Sequence, residues 1–216
     1  MIKKNWKTMI LTSLVILLPI LAGLMLWDQL PDQMPTHWGP NGQPDAWGSK
    51  LEAVVLLPAI LLGIHWLCAA VTGLDPKKEN HGKKPTQLVL WICPSLALIL
   101  GAISLATGLG VEVDMNMVMP LVMGFLMMVL GNYMPKCAPN YTIGIKIPWT
   151  LDSEANWVAT HRMAGWVWML AGFGMLFCAF LPGVWPVIAC FTIMTVMVLI
   201  PVVYSWHFYK KEQTEK

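Results

Sequence analysis

Six long apolar runs, separated by short stretches that hold nearly every charge, constrain this chain more than any other feature. They fall at residues 8–27, 51–73, 86–109, 117–134, 163–181 and 184–208. Each is roughly 18–25 residues, enough for a helix rising ~1.5 Å per residue to cross a ~30 Å hydrocarbon core. With 56% hydrophobic and only 12% charged residues in 216, a soluble domain is excluded. The short alternating segments of a membrane β-barrel are also missing. The expected fold is all-α: a polytopic membrane protein with six transmembrane helices. Because 1–110 and 111–216 each hold three runs, a module of three helices is expected in each half.

Charge sets the expected orientation. With a cytoplasmic N-terminus, the inner segments hold Lys3, Lys4 and Lys7, then Lys77, Lys78, Lys83 and Lys84. The next inner loop holds Lys136, Lys146 and Arg162, and the tail holds Lys210, Lys211 and Lys216. Thirteen of the 14 basic residues then lie inside, with Lys50 outside, as anionic inner-leaflet lipid and the membrane potential favour. Both termini are therefore expected in the cytoplasm. The first run lacks a small-residue cleavage site before Trp27 and reads as a first span rather than a signal peptide. The five cysteines are scattered without a C-x-x-C pair, so they read as small buried side chains rather than disulfides or a metal site.

Two connections are too rich in structure-forming residues to be plain linkers. The outer one, 28–50, has prolines and glycines that mark successive turns, together with His37, Trp38 and Trp47. Three readings stand beside each other: turn packing alone, a peptide-contacting surface, or a metal pair made by His37 and Asp45. Asp45, Ser49 or Glu52 suits the start of the following helix. The inner connection, 131–165, is broken by Pro135, Pro139 and Pro148. Asn132 and Asn140 are expected to satisfy backbone groups where the fourth span breaks. Downstream, Leu151 to Arg162 reads as a short amphipathic helix on the inner surface, capped by Thr150 or Ser153. Trp157 and His161 share one of its faces and Asn156 and Thr160 another, with Trp157 placed in the lipid interface.

Catalysis finds little support. His161 with Thr160, Asp152 or Glu154 is a conceivable base, and Cys137 a conceivable nucleophile, but no paired carboxylates, H-E-x-x-H or G-x-S-x-G motif is present. No enzyme activity, cofactor, metal or direct nucleic-acid binding is expected. Within the spans the ionisable group deepest in an apolar run is His65. It reads either as a neutral histidine bonded to a neighbouring helix or as a proton-sensitive switch.

The segment Asn132-Tyr133-x-Pro135, Asn140, Gly144-Ile145-Lys146-x-Pro148-Trp149-Thr150-Leu151, Trp157 and Thr160-His161-Arg162 resembles the SdpI family of bacterial membrane proteins. The Leu30-Pro31, Pro35-x-His37-Trp38 and Pro44-Asp45-x-Trp47-x-Ser49-Lys50 pattern resembles a module that precedes the SdpI-type half in that family. Lys146 stands where the family often carries Arg, keeping the charge without the planar fork. The resemblance implies an immunity protein of the bacterial plasma membrane that protects against a secreted, membrane-active peptide toxin. It also implies a signalling variant in which a small cytosolic repressor is held at the membrane. On that basis His37, Trp38, Asp45 and Trp47 are the expected toxin contacts. Asn132, Asn140, Lys146, Pro148, Trp149, Thr150, Trp157, His161 and Arg162 are the expected inner-loop residues, with lipid as the surrounding partner. A small-molecule channel or transporter, or an envelope-stress sensor, is the competing class.

Overall fold

A computed structural model describes residues 2–215, so Lys216, counted above among the inner basic residues, lies outside the described chain. Among the described residues seven α-helices carry the fold: α1 (Trp6–Met25), α2 (Leu57–Leu74), α3 (Lys83–Gly108), α4 (Met115–Tyr133), α5 (Pro148–Asp152), α6 (Glu154–Cys178) and α7 (Trp185–Thr214). Two strands, β1 (Gln33–Trp38) and β2 (Pro44–Ser49), pair antiparallel between α1 and α2. Among the described residues five helical segments are long and apolar enough to cross a membrane: Trp6–Met25, Glu52–Leu74, Lys83–Gly108, Met115–Lys136 and Trp185–Thr214. The chain is thus a multi-pass membrane protein of all-α class. The remaining expected run, 163–181, lies in α6 as far as Cys178, and there its apolar part shares one helix with polar turns running to Arg162.

Two compact units divide the chain, Met1–Gly73 with Gln87–Met115, and Leu74–Thr86 with Asn116–Lys216. In the first, α1, α2 and α3 meet through Ile16, Leu61, Cys93 and Ala97 and, further along, through Met9, Ala69 and Leu90. Between those layers His65 is 1% exposed, and its Nε2 lies 2.9 Å from the Thr12 hydroxyl of α1. The histidine is therefore bonded to a neighbouring helix, as one of the two expectations had it. One residue further along each helix, Trp66 Nε1–H donates to Ser13 Oγ at 3.2 Å. Polar pairs of this kind substitute for the hydrophobic drive that lipid cannot supply between helices.

The connection 28–50 is not a string of turns. Its two strands form one hairpin closed at Gly39 to Gln43, where Gly42 takes φ +77°. Pro35 and Pro44 are accommodated because a two-stranded ribbon has free edges that need no donor. Met34, fully buried under the hairpin, packs with Leu30 and Val54. The second strand leads into helix through a reciprocal capping pair. Glu52 accepts from the Ser49 backbone N–H at 2.7 Å, while the Glu52 N–H donates to Ser49 Oγ at 3.3 Å.

In the second unit α4 and α6 run antiparallel in close contact. A Cβ on Gly172 would stand 2.5 Å from the Gly124 carbonyl oxygen, and one on Gly165 would stand 2.9 Å from that of Gly131. Each glycine pair is seven residues apart, two helical turns, so both contacts fall on one seam. Gly174 has no such backbone neighbour, and Gly101 instead faces Pro19 of α1. Met127, Met175 and Met197 fill the space beside the seam. Replacing Gly172 by Leu forces the helix backbones apart and is expected to lower stability by about 1–3 kcal/mol or more. Thermal unfolding of detergent-solubilised protein, followed by its tryptophan fluorescence, should show the loss, whereas Gly174→Leu should be close to wild type.

Candidate functional site

The hairpin brings one predicted pair together. His37 Nδ1 lies 2.5 Å from Asp45 Oδ1, with 69% and 50% of the two side chains exposed. Trp47 on the partner strand is 59% exposed, and Trp38 is half-buried. Lys50 is bound to Asp32 at 3.2 Å and sits over the Trp27 ring, so it braces the hairpin base. Among the described residues no group of three or more His, Cys, Asp and Glu side chains is placed to hold a metal ion.

The richer geometry is between α4 and α6. Asn140, 2% exposed, works as a small scaffold: its Oδ1 accepts the backbone N–H groups of Thr142 and Ile143 at 2.8 and 2.6 Å. Its Nδ2 donates to the Ala138 and Ile143 carbonyls. Thr150 Oγ1 takes the N–H of Ile147 at 3.1 Å and lies within hydrogen-bond reach of the Ile145 and Ile147 carbonyls. Side chains thus stand in for regular secondary structure where the chain is neither helix nor strand. Asn132 does not share this role: it is exposed and accepts from Lys136 Nζ at 3.0 Å.

His161 closes the loop from beneath. Its Nδ1 must carry the proton, because it faces the Trp157 carbonyl at 2.8 Å; Nε2 then accepts the Ile145 N–H at 2.9 Å. The imidazole stacks on Trp157 with ring centroids 4.1 Å apart, and Trp157 Nε1–H donates to the Cys137 carbonyl at 2.7 Å. Over this stack the chain passes at Gly144, whose φ of +119° suits glycine and where any Cβ would run into His161 Nε2.

This geometry overturns the amphipathic surface helix expected from Leu151 to Arg162. The run breaks at Ser153, which caps α6 by accepting the Asn156 N–H, and everything beyond belongs to that long helix. Asn156, Trp157, Thr160 and His161 are each 1% exposed or less, so Trp157 is not in the lipid interface and the polar edge does not face water. Polar residues turn inward here because backbone and side-chain partners wait for them. Asn156 Oδ1 accepts from Thr160 Oγ1 and from Ser205 Oγ of α7, and its Nδ2 donates to the Ser205 carbonyl. Trp149 packs edge-on against Trp206 at 5.3 Å, its indole N–H buried without a partner.

Pro148, Lys146 and Arg162 are exposed, as are Asn132 and Tyr141, and Lys146 Nζ donates to the Thr142 carbonyl. Cys137 is buried, which pushes its thiol up to about 11 against the opposing effect of Lys136; no reactive thiolate is present at neutral pH. His161 has both nitrogens engaged and contacts neither Asp152 nor Glu154 in the bonds it makes. The sequence reading missed Asp75, His81, Thr142 and Ser205, all of which bond into this region. Only the isolated Asp75 between an apolar run and a lysine cluster offered any signal.

Burial lowers the proton affinity of His161, the bond to the Trp157 carbonyl working weakly the other way. The folded state therefore holds the ring neutral while the unfolded chain takes up a proton near pH ~6.5. The stabilisation from this site is present above that pH and declines as pH falls below it. Unfolding midpoints measured between pH 7.5 and 5 should fall on acidification, and His161→Gln, which keeps an acceptor for Ile145, should flatten part of that slope.

Comparison with known proteins places this geometry. Residues 136–205, spanning the loop, α6 and most of α7, match the SdpI/YfhL protein family. Residues 14–62, which contain the hairpin, match a domain of unknown function (DUF1648). An immunity protein, SdpI, of Bacillus subtilis is 26% identical over 212 residues, covering 97% of either chain. An uncharacterized protein of Archaeoglobus fulgidus is 42% identical over 50 residues, 23% of this chain and 27% of that one. No solved structure matches. From the loop through most of α7 the chain is similar to the SdpI/YfhL protein family, and along almost its whole length to an SdpI immunity protein.

Proposed function

We propose that this protein is an immunity protein of the bacterial plasma membrane, protecting the cell from a secreted, membrane-active peptide toxin. The observation that carries this reading is the alignment, along 97% of both chains, with an immunity protein. In this reading the apolar run 163–181, which takes up the later part of α6, is the sixth span, both termini are cytoplasmic, the hairpin is extracellular and the loop before that run is cytoplasmic. Segments 1–110 and 111–216 act as two modules, one meeting the toxin and one serving the inner face. The protein acts by binding rather than by catalysis. A second output, retention of a small cytosolic repressor at the loop, fits the same arrangement.

Physical support for toxin contact comes from the hairpin. A rigid ribbon carrying an exposed tryptophan offers a large apolar surface at little entropic cost, the kind of residue that dominates binding energies. Trp47 is held on a strand whose end is fixed by the Ser49–Glu52 cap and by the Lys50–Asp32 ion pair. His37, Trp38 and Asp45 provide the polar and aromatic surround.

The test is survival. The protein is expressed in a toxin-sensitive bacterium lacking its own immunity gene, and the culture is challenged with purified sporulation-delaying peptide. Protection is expected, with Trp47→Ala shifting the inhibitory toxin concentration down by about tenfold or more at equal membrane levels. Trp149→Ala and His161→Ala are expected to lose protection by disordering the loop. Wild-type protection by a hairpin lacking both Trp38 and Trp47 would remove the hairpin from the mechanism.

A further inference from the structure

We propose that Asp75, on the short connection between α2 and α3, is the positioning residue of the 131–165 loop. This rests on the reading that the loop serves the inner face of the membrane. The carboxylate is fully buried, and burial by itself would raise its proton affinity. The bonds from the Lys77 N–H, the Thr142 hydroxyl, the Tyr141 N–H and His81 outweigh that effect and hold it below the ordinary carboxylate range.

The distribution of these donors is what gives Asp75 its role. Lys77 N–H, at 2.7 Å to Oδ1, comes from its own connection and would suffice to shape a turn. Oδ2 is instead occupied by the distant loop, with Tyr141 N–H at 2.9 Å and Thr142 Oγ1–H at 2.8 Å. His81 Nε2, 3.1 Å from the same oxygen, is also 3.2 Å from the Thr142 hydroxyl. Two further contacts join the same segments: Asn80 Nδ2 donates to the Pro139 carbonyl, and the Lys77 ammonium lies 5.1 Å from the Tyr141 ring centroid.

The loop is consequently suspended between two anchors. Residues 141 and 142 hang on Asp75, Ile145 hangs on His161, and Gly144 makes the reversal between them. What the two anchors present is Tyr141, 46% exposed, and Lys146, exposed beside it. A carboxylate is suited to this position because one oxygen can accept several donors at once and ionised acceptors bind more strongly than neutral ones. Asparagine, with a donor in place of one oxygen, cannot reproduce the pattern.

Trypsin cleavage after Lys146 reads the anchoring directly. Full-length protein in detergent is digested as wild type, Asp75→Asn, Thr142→Val and the double variant, and the rates are followed by mass spectrometry. Each single change is expected to speed cleavage by about tenfold, with the double variant no faster than Asp75→Asn, because the Thr142 bond is one of those that Asp75 makes. Rates within about twofold of wild type, or single effects that multiply in the double variant, overturn the anchor. In the survival assay, at matched membrane levels, Asp75→Asn is expected to lose protection together with Trp149→Ala. Loss with Trp149→Ala but full protection by Asp75→Asn overturns the positioning role and leaves the loop reading intact. Full protection by both overturns the loop reading itself, while the cleavage rates still decide whether Asp75 anchors the loop.

Discussion

A chain that leaves helical structure close to lipid must find partners for every backbone N–H and C=O it frees, since hydrocarbon offers none. The segment between α4 and α6 meets that requirement with side chains. Asn140 takes two N–H groups and two carbonyls, Thr150 bridges the entry to α5, His161 takes Ile145, and Trp157 takes Cys137. None of these residues can be exchanged for an apolar one of the same shape without orphaning a buried group, at about 1–3 kcal/mol each. The same requirement fixes the conformation of the region from several directions.

The two compact units solve helix association differently. In the first, α1 and α2 carry adjacent polar bonds, Thr12 to His65 and Ser13 to Trp66, one buried and one exposed. In the second, α4 and α6 approach through glycines until backbone meets backbone, and α6 joins α7 through the Asn156–Ser205 bonds. Close packing and interhelical hydrogen bonds are the two resources available where burial of apolar surface gains nothing over lipid. The glycine seam also places the start of α6 beside the end of α4, which sets the ends the loop must connect: Pro135 packs against the position where Gly165 has no side chain.

What could be read from sequence follows from how local each signal is. Apolar runs announce the membrane helices, and Ser49 with Glu52 three residues on announces the cap before α2. Pairing of the hairpin was hidden, because prolines and glycines mark turns as readily as edge strands, and Gly39 to Gln43 turned out to be the one reversal. The run from Leu151 to Arg162 misled for a physical reason. Helical periodicity reports which residues share a face, but not whether a polar face meets water or a set of waiting carbonyls. Asp75 illustrates the limit further, since its partners lie 66 and 67 residues away and no periodicity links them.

The distribution of satisfied and exposed groups also separates the roles of the two candidate regions. In the loop, the chemically capable side chains are committed: His161 uses both nitrogens, Cys137 is a protonated buried thiol, and Thr150 and Asn140 hold backbone. What it offers outward is Tyr141, Lys146, Pro148 and Arg162, groups suited to contact rather than bond making. The hairpin is the reverse, with His37, Asp45 and Trp47 turned to the surroundings and its buried part limited to apolar packing around Met34. Substitutions in the loop core therefore act through geometry and should resemble one another whichever residue is changed. Substitutions on the hairpin surface should instead be graded by the chemistry removed. Shared phenotypes in one region and graded ones in the other are what a loop anchored from within and a ribbon with exposed side chains require.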